Sequence, residues 1–506
     1  MFLIEDLGIL VLWLIVMVIA VNGVFLCFVF YRRAARRRYF EAKDSARDRY
    51  QVPITEFIAN NISVEHAREI LREAYSEAEI DAVQHMLLSQ VTPENARRIS
   101  ELFFALGYVD RWAAQAFGRK RATLLVMRSM RQEKAEIDTR GRGGWLAPIR
   151  RLKVFYVMRM IAVDHLGRLA PNHAQPFLAE ALLDPAVEVR RVAVTSMGRN
   201  HNAESIPLIV EELRQSLRVP GSVSARSAKS ALVCYGLGDL HHFIPFLTHT
   251  DDQLRFNLVD VIREITAREG KRGLLNKNDF PAELYALFLE HLAHDPSSDV
   301  RARSSAVIKH FRDRAAMDAL RKLLRDENDI VRLHAVRACS DRYYVELSND
   351  LLERVGDQRW RVREAAVRAV STLGPAATNR LYQQFVSSQD QYASEQVADE
   401  IQRTGLFRDM LSAMAGGGSD SEIATAACRK MVVVGKTSLP INAVLSVESQ
   451  PLRLLLLDAL SAAPNREFAE VLTYLQATDT GPVGSRAAFL LQSGRMKAFS
   501  PGGANG

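Results

Sequence analysis

A short phrase occurs twice within residues 323–374, and its two copies lie 31 residues apart. The first copy reads DENDIVR from residue 326 and the second reads DQRWRVR from residue 357, each with an Ala-Val pair starting three residues after its last arginine. Each copy has the pattern of a turn followed by an amphipathic helix that opens on Val-Arg. Helical repeats of about 30 residues are typical of an α-solenoid, in which each helix pair buries its apolar face against its neighbours. The repeat therefore predicts an all-α repeat array.

The same helix opening recurs along the chain when its arginine is taken as an anchor. Three steps between successive anchors are 31 residues long, and the position seven residues after the anchor is apolar in all six cases. The position three residues after the anchor is alanine in four of them. Because offsets of three and seven fall on one face of a helix, these positions are predicted to form the core. The six anchors are Arg159, Arg190, Arg255, Arg301, Arg332 and Arg363.

The phrase DPAVEVRRVA, which starts at residue 184 and is followed by Gly198 as the expected helix end, resembles a HEAT repeat. The short period is similar to that of the HEAT-like subgroup first associated with phycobilin lyases. The resemblance covers roughly residues 151–492. It implies that aspartate and arginine side chains form ladders between adjacent repeats. It also implies a fold rather than an activity.

Four pairs of residues match this ladder pattern, with an aspartate six residues before the anchor arginine. Arg159 and Arg255 depart from it, because Lys153 and His249 occupy the aspartate position. Contacts that recur once per repeat are expected to be structural, because an active site is needed only once. The predicted ladder residues are Asp184, Arg190, Asp295, Arg301, Asp326, Arg332, Asp357 and Arg363.

The N-terminal stretch 7–30 contains no charged residue and is long enough to cross a hydrocarbon core of about 30 Å as a helix. A cleaved signal peptide is the competing interpretation, but acidic residues precede the stretch and no Ala-x-Ala-type site follows it. Five arginines come directly after it, which predicts an outward N-terminus and a cytoplasmic remainder. The excess of arginine over lysine suggests a bacterial inner membrane. The sequence therefore predicts a single-pass membrane protein.

The net charge of +7 comes from two basic blocks. Residues 32–49 contain eight Lys and Arg against three Asp and Glu, and residues 111–153 contain twelve against three. The rest of the chain is therefore acidic overall, which disfavours nucleic acid as a partner. The residues proposed to contact a partner or lipid are Arg32, Arg33, Arg36, Arg37, Arg38, Arg119, Lys120, Arg121, Arg128 and Arg131.

Motifs for catalysis, cofactor binding or metal binding do not stand out. The four cysteines lie far apart, and neither a phosphate loop nor a nucleophile elbow is present. Histidines do not pair with carboxylates at a helical ligand spacing, so no metal and no cofactor are expected. Trp360, beside the turn of the second copy, is expected to pack between repeat turns, with a role as a partner anchor as the alternative.

These features predict a membrane-tethered scaffold or adaptor that binds a protein partner at the cytoplasmic face and takes no small-molecule substrate. Envelope assembly, including support of a membrane glycosyltransferase, is the setting that the topology suggests. The alternative is an enzyme of the HEAT-like lyase type or a nucleic-acid-binding protein. The expected segments are a short N-terminus (1–6), a transmembrane helix (7–30), a basic juxtamembrane segment (31–50), degenerate helical repeats (51–148), a HEAT-like solenoid (149–498) and a flexible tail (499–506).

Overall fold

In the computed structural model, residues 2–131 and 153–493 are described, and all regular structure in these ranges is helical. The chain divides into two compact units, Met1–Tyr235 and Gly236–Gly506. Residues 132–152 of the second basic block and the predicted tail 499–506 lie outside the described residues.

The first unit begins with one long helix and continues with short helices joined by tight turns. Its described helices are α1 (Phe2–Ile58), α2 (Val64–Leu71), α3 (Glu77–Ser89), α4 (Ala96–Ala105), α5 (Tyr108–Phe117), α6 (Arg119–Arg131), α7 (Lys153–Leu166), α8 (Pro171–Ala181), α9 (Val187–Asn200), α10 (Ile206–Ser216) and α11 (Ala225–Val233).

Helix α1 combines an exposed apolar stretch with a packed C-terminal part. It passes without a break through the predicted boundaries at residues 30 and 50. An 18-residue apolar window within it is 0% buried, so the helix is long and apolar enough to cross a membrane by length and composition; an N-terminal signal sequence meets the same criterion. From Ala46 onwards, Tyr50, Ile54 and Phe57 are buried, and α1 packs against α2 and α3. The apolar stretch therefore extends from a helix that is anchored in the first unit.

The second unit is a succession of helix pairs, several of which are joined by short 3-10 turns. Its described helices are α12 (Ile244–Leu247), α13 (Asp252–Glu269), α14 (Ala282–Glu290), α15 (Ser298–Ile308), α16 (Arg314–Leu324), α17 (Asp329–Ala338), α18 (Ser348–Val355), α19 (Trp360–Leu373), α20 (Pro375–Ser387), α21 (Gln391–Thr404), α22 (Leu406–Gly416), α23 (Gly418–Val433), α24 (Ser438–Ser446), α25 (Gln450–Leu460), α26 (Arg466–Thr478) and α27 (Pro482–Gln492).

The helices that carry the anchors follow one another in a row within the second unit. Helix α13 packs against α15, α15 against α17, α17 against α19, and α19 against α21. Helices α13, α15, α17 and α19 each also contact the helix that precedes them in sequence, such as α16 against α17 and α18 against α19. This stacking of helix pairs, each in contact with its neighbours, is the architecture of an α-solenoid. The predicted all-α, HEAT-like solenoid is confirmed.

The predicted core positions are buried in both units. The residues three and seven positions after each anchor are all 0% exposed; they are Ala162, Leu166, Ala193, Met197, Leu258, Ile262, Ser304, Ile308, Ala335, Cys339, Ala366 and Val370. Fully burying a large apolar side chain of this kind contributes roughly 1.5–3 kcal/mol.

Gly198 does not end its helix, contrary to the sequence-based expectation. Helix α9 continues to Asn200, and His201 adopts the left-handed conformation after it, with φ 52°. Gly198 instead lies where α9 meets α11: a Cβ atom added to it would be 2.6 Å from the Ala231 Cα atom. The glycine is therefore explained by close packing between two helices and not by helix termination.

Candidate functional site

The anchor arginine of each repeat links that repeat to the next one. The Arg332 Nε and Nη2 atoms donate to the Asp357 Oδ2 and Oδ1 atoms at 2.8 and 2.9 Å. Its Nη1 atom donates to the carbonyl oxygens of Asp326 and Glu327 at 2.9 and 3.0 Å. Arg332 thus holds the turn of its own repeat with one nitrogen and the aspartate of the following repeat with the other two.

The same bidentate geometry occurs at three further anchors. Arg301 donates to the Asp326 carboxylate at 2.8 and 2.9 Å. Arg255 donates to Asp295 at 2.8 Å through both nitrogens. Arg159 donates to Asp184 at 2.8 and 3.0 Å. The structure therefore extends the ladder to Arg159 and Arg255, which the six-residue spacing had left out, because the side chains pair across repeats and not within one.

Two predicted ladder arginines donate to groups other than an aspartate carboxylate of the following repeat. The Arg190 Nη1 atom donates to the Asp184 carbonyl oxygen at 2.8 Å, and its Nη2 atom donates to the Gly221 carbonyl oxygen at 3.1 Å. The Arg363 Nε atom donates to the Gln396 Oε1 atom at 2.8 Å, and its Nη1 atom donates to the Asp357 carbonyl oxygen at 2.9 Å. At Arg363 a neutral amide therefore takes the place of the aspartate, whereas further along the chain Arg453 again donates to an aspartate, Asp479, at 3.0 Å.

Two ladder aspartates, Asp326 and Asp357, are held in their charged forms. Burial alone would raise the pKa of Asp326, but the hydrogen bonds from Arg301 and from the Asn328 backbone N–H outweigh it and lower the pKa. The pKa of Asp357 is lowered in the same way, with Arg332 as its main partner. Groups that stay ionised and bidentately paired are poorly suited to proton transfer. The geometry supports a role in aligning repeats.

Trp360 is exposed, although it was expected to pack between repeat turns. The residue is 56% exposed at the start of α19, and the Arg361 guanidinium lies 5.4 Å from the ring centroid. Beside it, a groove of 460 Å³ lies between α19 and α21. Its lining residues are Trp360, Glu364, Tyr392, Glu395, Gln396, Asp399, Glu400 and Arg403.

The arginines after the apolar stretch are all exposed on α1. Arg32 and Arg36 lie over the rings of Phe28 and Phe40, each at 5.7 Å from the ring centroid. The Arg37 Nε atom donates to the Glu41 Oε1 atom at 2.8 Å. The remaining two, Arg33 and Arg38, are exposed on the same helix. This part of α1 therefore presents a cationic surface directly after the apolar stretch.

The second basic cluster lies on α6 and is only partly free. Arg119 and Lys120 are exposed at the start of the helix. Arg121 pairs with Glu180, with an N–O distance of 2.6 Å. Arg128 is half-buried, and the side chain of Arg131 lies outside the described residues.

No group of three or more His, Cys, Asp or Glu side chains suited to holding a metal ion occurs among the described residues. Two histidines in the second unit have lowered pKa values, mainly because they are desolvated. The pKa of His310 falls to about 4, with Lys309 and Arg312 adding to the effect of burial. The pKa of His334 falls to about 4 through burial together with Arg303 and Arg337. These histidines are neutral at pH 7.

The stacked helix pairs and the arginine row define the class of protein as an α-solenoid with HEAT-like repeats. A family model described as HEAT repeats matches residues 285–371, which span α15, α16, α17, α18 and most of α19. This confirms the predicted resemblance to HEAT repeats. The finer assignment to the phycobilin-lyase-type subgroup stays a prediction.

Three solved structures are similar over most of the chain at low identity. A Pds5–Scc1 complex has a TM-score of 0.37 and 12% identity over 90% of this chain and 82% of that chain. The karyopherin Kap121p bound to the extreme C-terminus of the protein phosphatase Cdc14p gives 0.32 and 13%, over 90% of this chain and 62% of that chain. Importin beta has a TM-score of 0.27 and 11% identity over 91% of this chain and 75% of that chain. No curated protein matches the sequence. At these scores the likenesses carry no functional information.

Proposed function

We propose that this protein is a membrane-tethered scaffold that binds a protein partner at the cytoplasmic face of a membrane and carries out no catalysis of its own. Envelope assembly, including support of a membrane glycosyltransferase complex, is the proposed setting. The observation that carries the proposal is the unburied apolar window of α1, joined by the same helix to a packed solenoid unit.

The tether is supported by the exposure of large apolar side chains along α1. Trp13, Phe25 and Phe30 are 69%, 62% and 64% exposed. Apolar surface left in water costs roughly 25 cal/mol per Å², and contiguous patches of this extent mark a membrane or protein interface. The arginines that follow favour a cytoplasmic location for the solenoid.

The scaffold role is supported by what the repeats offer. Stacked helix pairs present an extended surface that suits macromolecular partners. The most regular charged feature, the ladder, uses its hydrogen bonds internally, as the Arg332 contacts illustrate. The exposed groove beside Trp360 supplies aromatic surface of the kind that anchors protein partners.

Affinity capture of the full-length protein in mild detergent, followed by crosslinking mass spectrometry, tests this proposal. We expect a stoichiometric membrane or envelope protein crosslinked to the solenoid. An Arg119→Glu/Lys120→Glu variant tests whether the basic cluster contributes, with Arg466→Glu as the control because Arg466 is 86% exposed in its side chain on α26. Bound tetrapyrrole or nucleic acid with no protein partner would overturn the scaffold proposal in favour of a lyase-type or nucleic-acid-binding function.

A further inference from the structure

Helices α17, α19 and α21, which pack in succession, each begin with an exposed large apolar side chain. Ile330 on α17 is 49% exposed, Trp360 on α19 is 56% exposed and Tyr392 on α21 is 80% exposed. Each lies in the first two residues of its helix. Since most other large apolar residues of these helices are buried, these three are uncovered apolar groups at the starts of three successive helices.

The groove between α19 and α21 places carboxylates beside the rings of Trp360 and Tyr392. Glu364 lies four residues after Trp360 on α19, and Glu395 and Asp399 lie three and seven residues after Tyr392 on α21. Residues at these offsets share one helix face. The groove, with a volume of 460 Å³, therefore has aromatic rings and acidic groups on both of its helical walls.

One of these carboxylates lacks a cationic partner. Glu364 accepts from Arg368 and Arg403 at 2.8 and 3.0 Å. Asp399 pairs with Lys436 at 2.5 Å. Glu395 accepts instead from the neutral Gln391 side-chain amide, at 3.0 Å. Among the described contacts of the groove, Glu395 is thus the carboxylate that remains available to a cation, three residues from the exposed Tyr392 ring.

Aromatic rings beside carboxylates favour a cationic ligand. The face of an aromatic ring attracts ammonium and guanidinium groups, an effect that strengthens as the cation is desolvated. The Trp360 ring already has the Arg361 guanidinium 5.4 Å from its centroid, so its position is compatible with such a contact. The negative charge of Glu395, which has a neutral amide partner, disfavours nucleic-acid phosphates and anionic lipid headgroups beside it. A protein segment with basic side chains fits the groove better than either polyanion.

We propose that the groove between α19 and α21 binds an extended segment of a protein partner, which places a lysine or arginine side chain between Trp360 and Tyr392 against Glu395 and an apolar side chain towards Ile330. This inference rests on the proposed scaffold function and specifies the chemistry of its partner.

Selection of random dodecapeptides displayed on phage, against the full-length protein in detergent, tests the chemistry without knowledge of the natural partner. We expect enrichment of peptides with lysine or arginine next to apolar residues. The enrichment should disappear with a Trp360→Ala/Tyr392→Ala variant and persist with Tyr474→Ala, since Tyr474 is a tyrosine on α26 that is 58% exposed, close to the exposure of Trp360. Absence of enrichment, enrichment of acidic peptides, or unchanged enrichment with the double variant would each overturn the proposal.

The most enriched peptide is then synthesised, and its affinity for each protein variant is measured by fluorescence polarisation. This measurement tests the groove residues one by one. Trp360→Ala is expected to weaken binding about tenfold or more, as for an aromatic interface anchor. Glu395→Gln removes the charge and keeps the side-chain size, so it should weaken binding and reduce its salt dependence. Equal affinities for wild type and Glu395→Gln at low and high salt would contradict the assigned role of Glu395.

Different experimental outcomes would contradict the groove proposal and the scaffold proposal. If the Trp360→Ala/Tyr392→Ala variant captures the cellular partner as well as wild type does, the groove is wrong and the scaffold stands. If no partner is captured by either protein, the scaffold proposal falls whatever the peptide result.

Discussion

Each anchor arginine acts on two repeats at once because its guanidinium offers five N–H donors in a rigid plane. Arg332 uses one edge for the Asp357 carboxylate and the remaining nitrogen for backbone carbonyls of its own turn. Lysine has one nitrogen and cannot reproduce this geometry. At the residue scale, the ladder therefore fixes the position of one helix pair relative to the next.

Arg332→Ala is expected to lower the free energy of unfolding by about 2 kcal/mol, because Asp357 would lose both hydrogen bonds from Arg332 and keep only the Arg354 guanidinium, 3.5 Å away, as a cationic partner. The Arg332 and Asp357 side chains are only 12% and 2% exposed. The measurement is chemical denaturation followed by circular dichroism. Arg359→Ala is the matched control: Arg359 is 68% exposed, lies 3.6 Å from Asp329, and should change the stability by about 0.5 kcal/mol or less. Equal effects of the two substitutions would count against the ladder.

Acidification is expected to destabilise the second unit between pH 6.5 and pH 4. In this window the unfolded chain binds protons at His310 and His334, whose ordinary pKa is 6.5, whereas the folded chain binds them only near their lowered pKa of about 4. Because the unfolded state takes up more protons, stability falls as the pH falls. The lowered pKa values of Asp326 and Asp357 remove further stability only below about pH 4.

A His310→Gln/His334→Gln variant should show a flatter dependence of its melting temperature on pH across that window. His291→Gln is the control, because His291 is exposed. A variant that keeps the wild-type slope would show that the two buried histidines do not cause it.

At the scale of the element, small residues at contact points determine how closely two helices pack. Gly198 brings α9 close to the backbone of α11, where an added Cβ atom would lie 2.7 Å from the Ala231 carbonyl oxygen. Neither backbone can yield easily, since both belong to hydrogen-bonded helices. The contact is therefore intolerant of even one methyl group.

Gly198→Ala is expected to destabilise the first unit by about 2 kcal/mol, although alanine has the higher helix propensity. Gly238→Ala is the control, because nothing lies within 4 Å of the added Cβ atom there. Thermal denaturation of both variants is the measurement. A Gly198→Ala protein as stable as wild type would show that α9 and α11 can separate at little cost.

On the scale of the whole molecule, α1 joins two environments in one continuous helix. Its apolar part is exposed, and its C-terminal part packs through Tyr50, Ile54 and Phe57. The helix is continuous between these two parts. If the apolar part is inserted in a membrane, the helix therefore connects the first unit rigidly to that membrane.

Deletion of residues 1–31 is expected to move the protein from the membrane fraction to the soluble fraction, since the packed part of α1 is retained. Fractionation of both forms, with a carbonate wash of the membranes, is the measurement. Intact mass analysis of the full-length form shows whether residues 1–31 remain attached, as a tether requires and a cleaved signal sequence does not. Tight membrane association of the deleted form would show a second attachment.

The helical periodicity of the sequence was sufficient to predict the fold and the core residues. Ala335 and Cys339 could be assigned to the core because helical periodicity alone places them on one face. The pairing partners of Arg159 and Arg255 were missed because their aspartates, Asp184 and Asp295, belong to the next repeat. A search for aspartate after the anchor, and not only before it, would have found them.

The sequence by itself determined the helical period, the apolar stretch and the residues that fill the core, since all three depend on contacts within one helix or on composition. Only the tertiary structure decided that Gly198 serves a helix contact, that Arg363 meets an amide, and that Trp360 and Tyr392 stay exposed beside one groove. The physical reason is that these features depend on how neighbouring helices approach one another. That approach is set by side-chain volumes across repeats, which no spacing within a single repeat records.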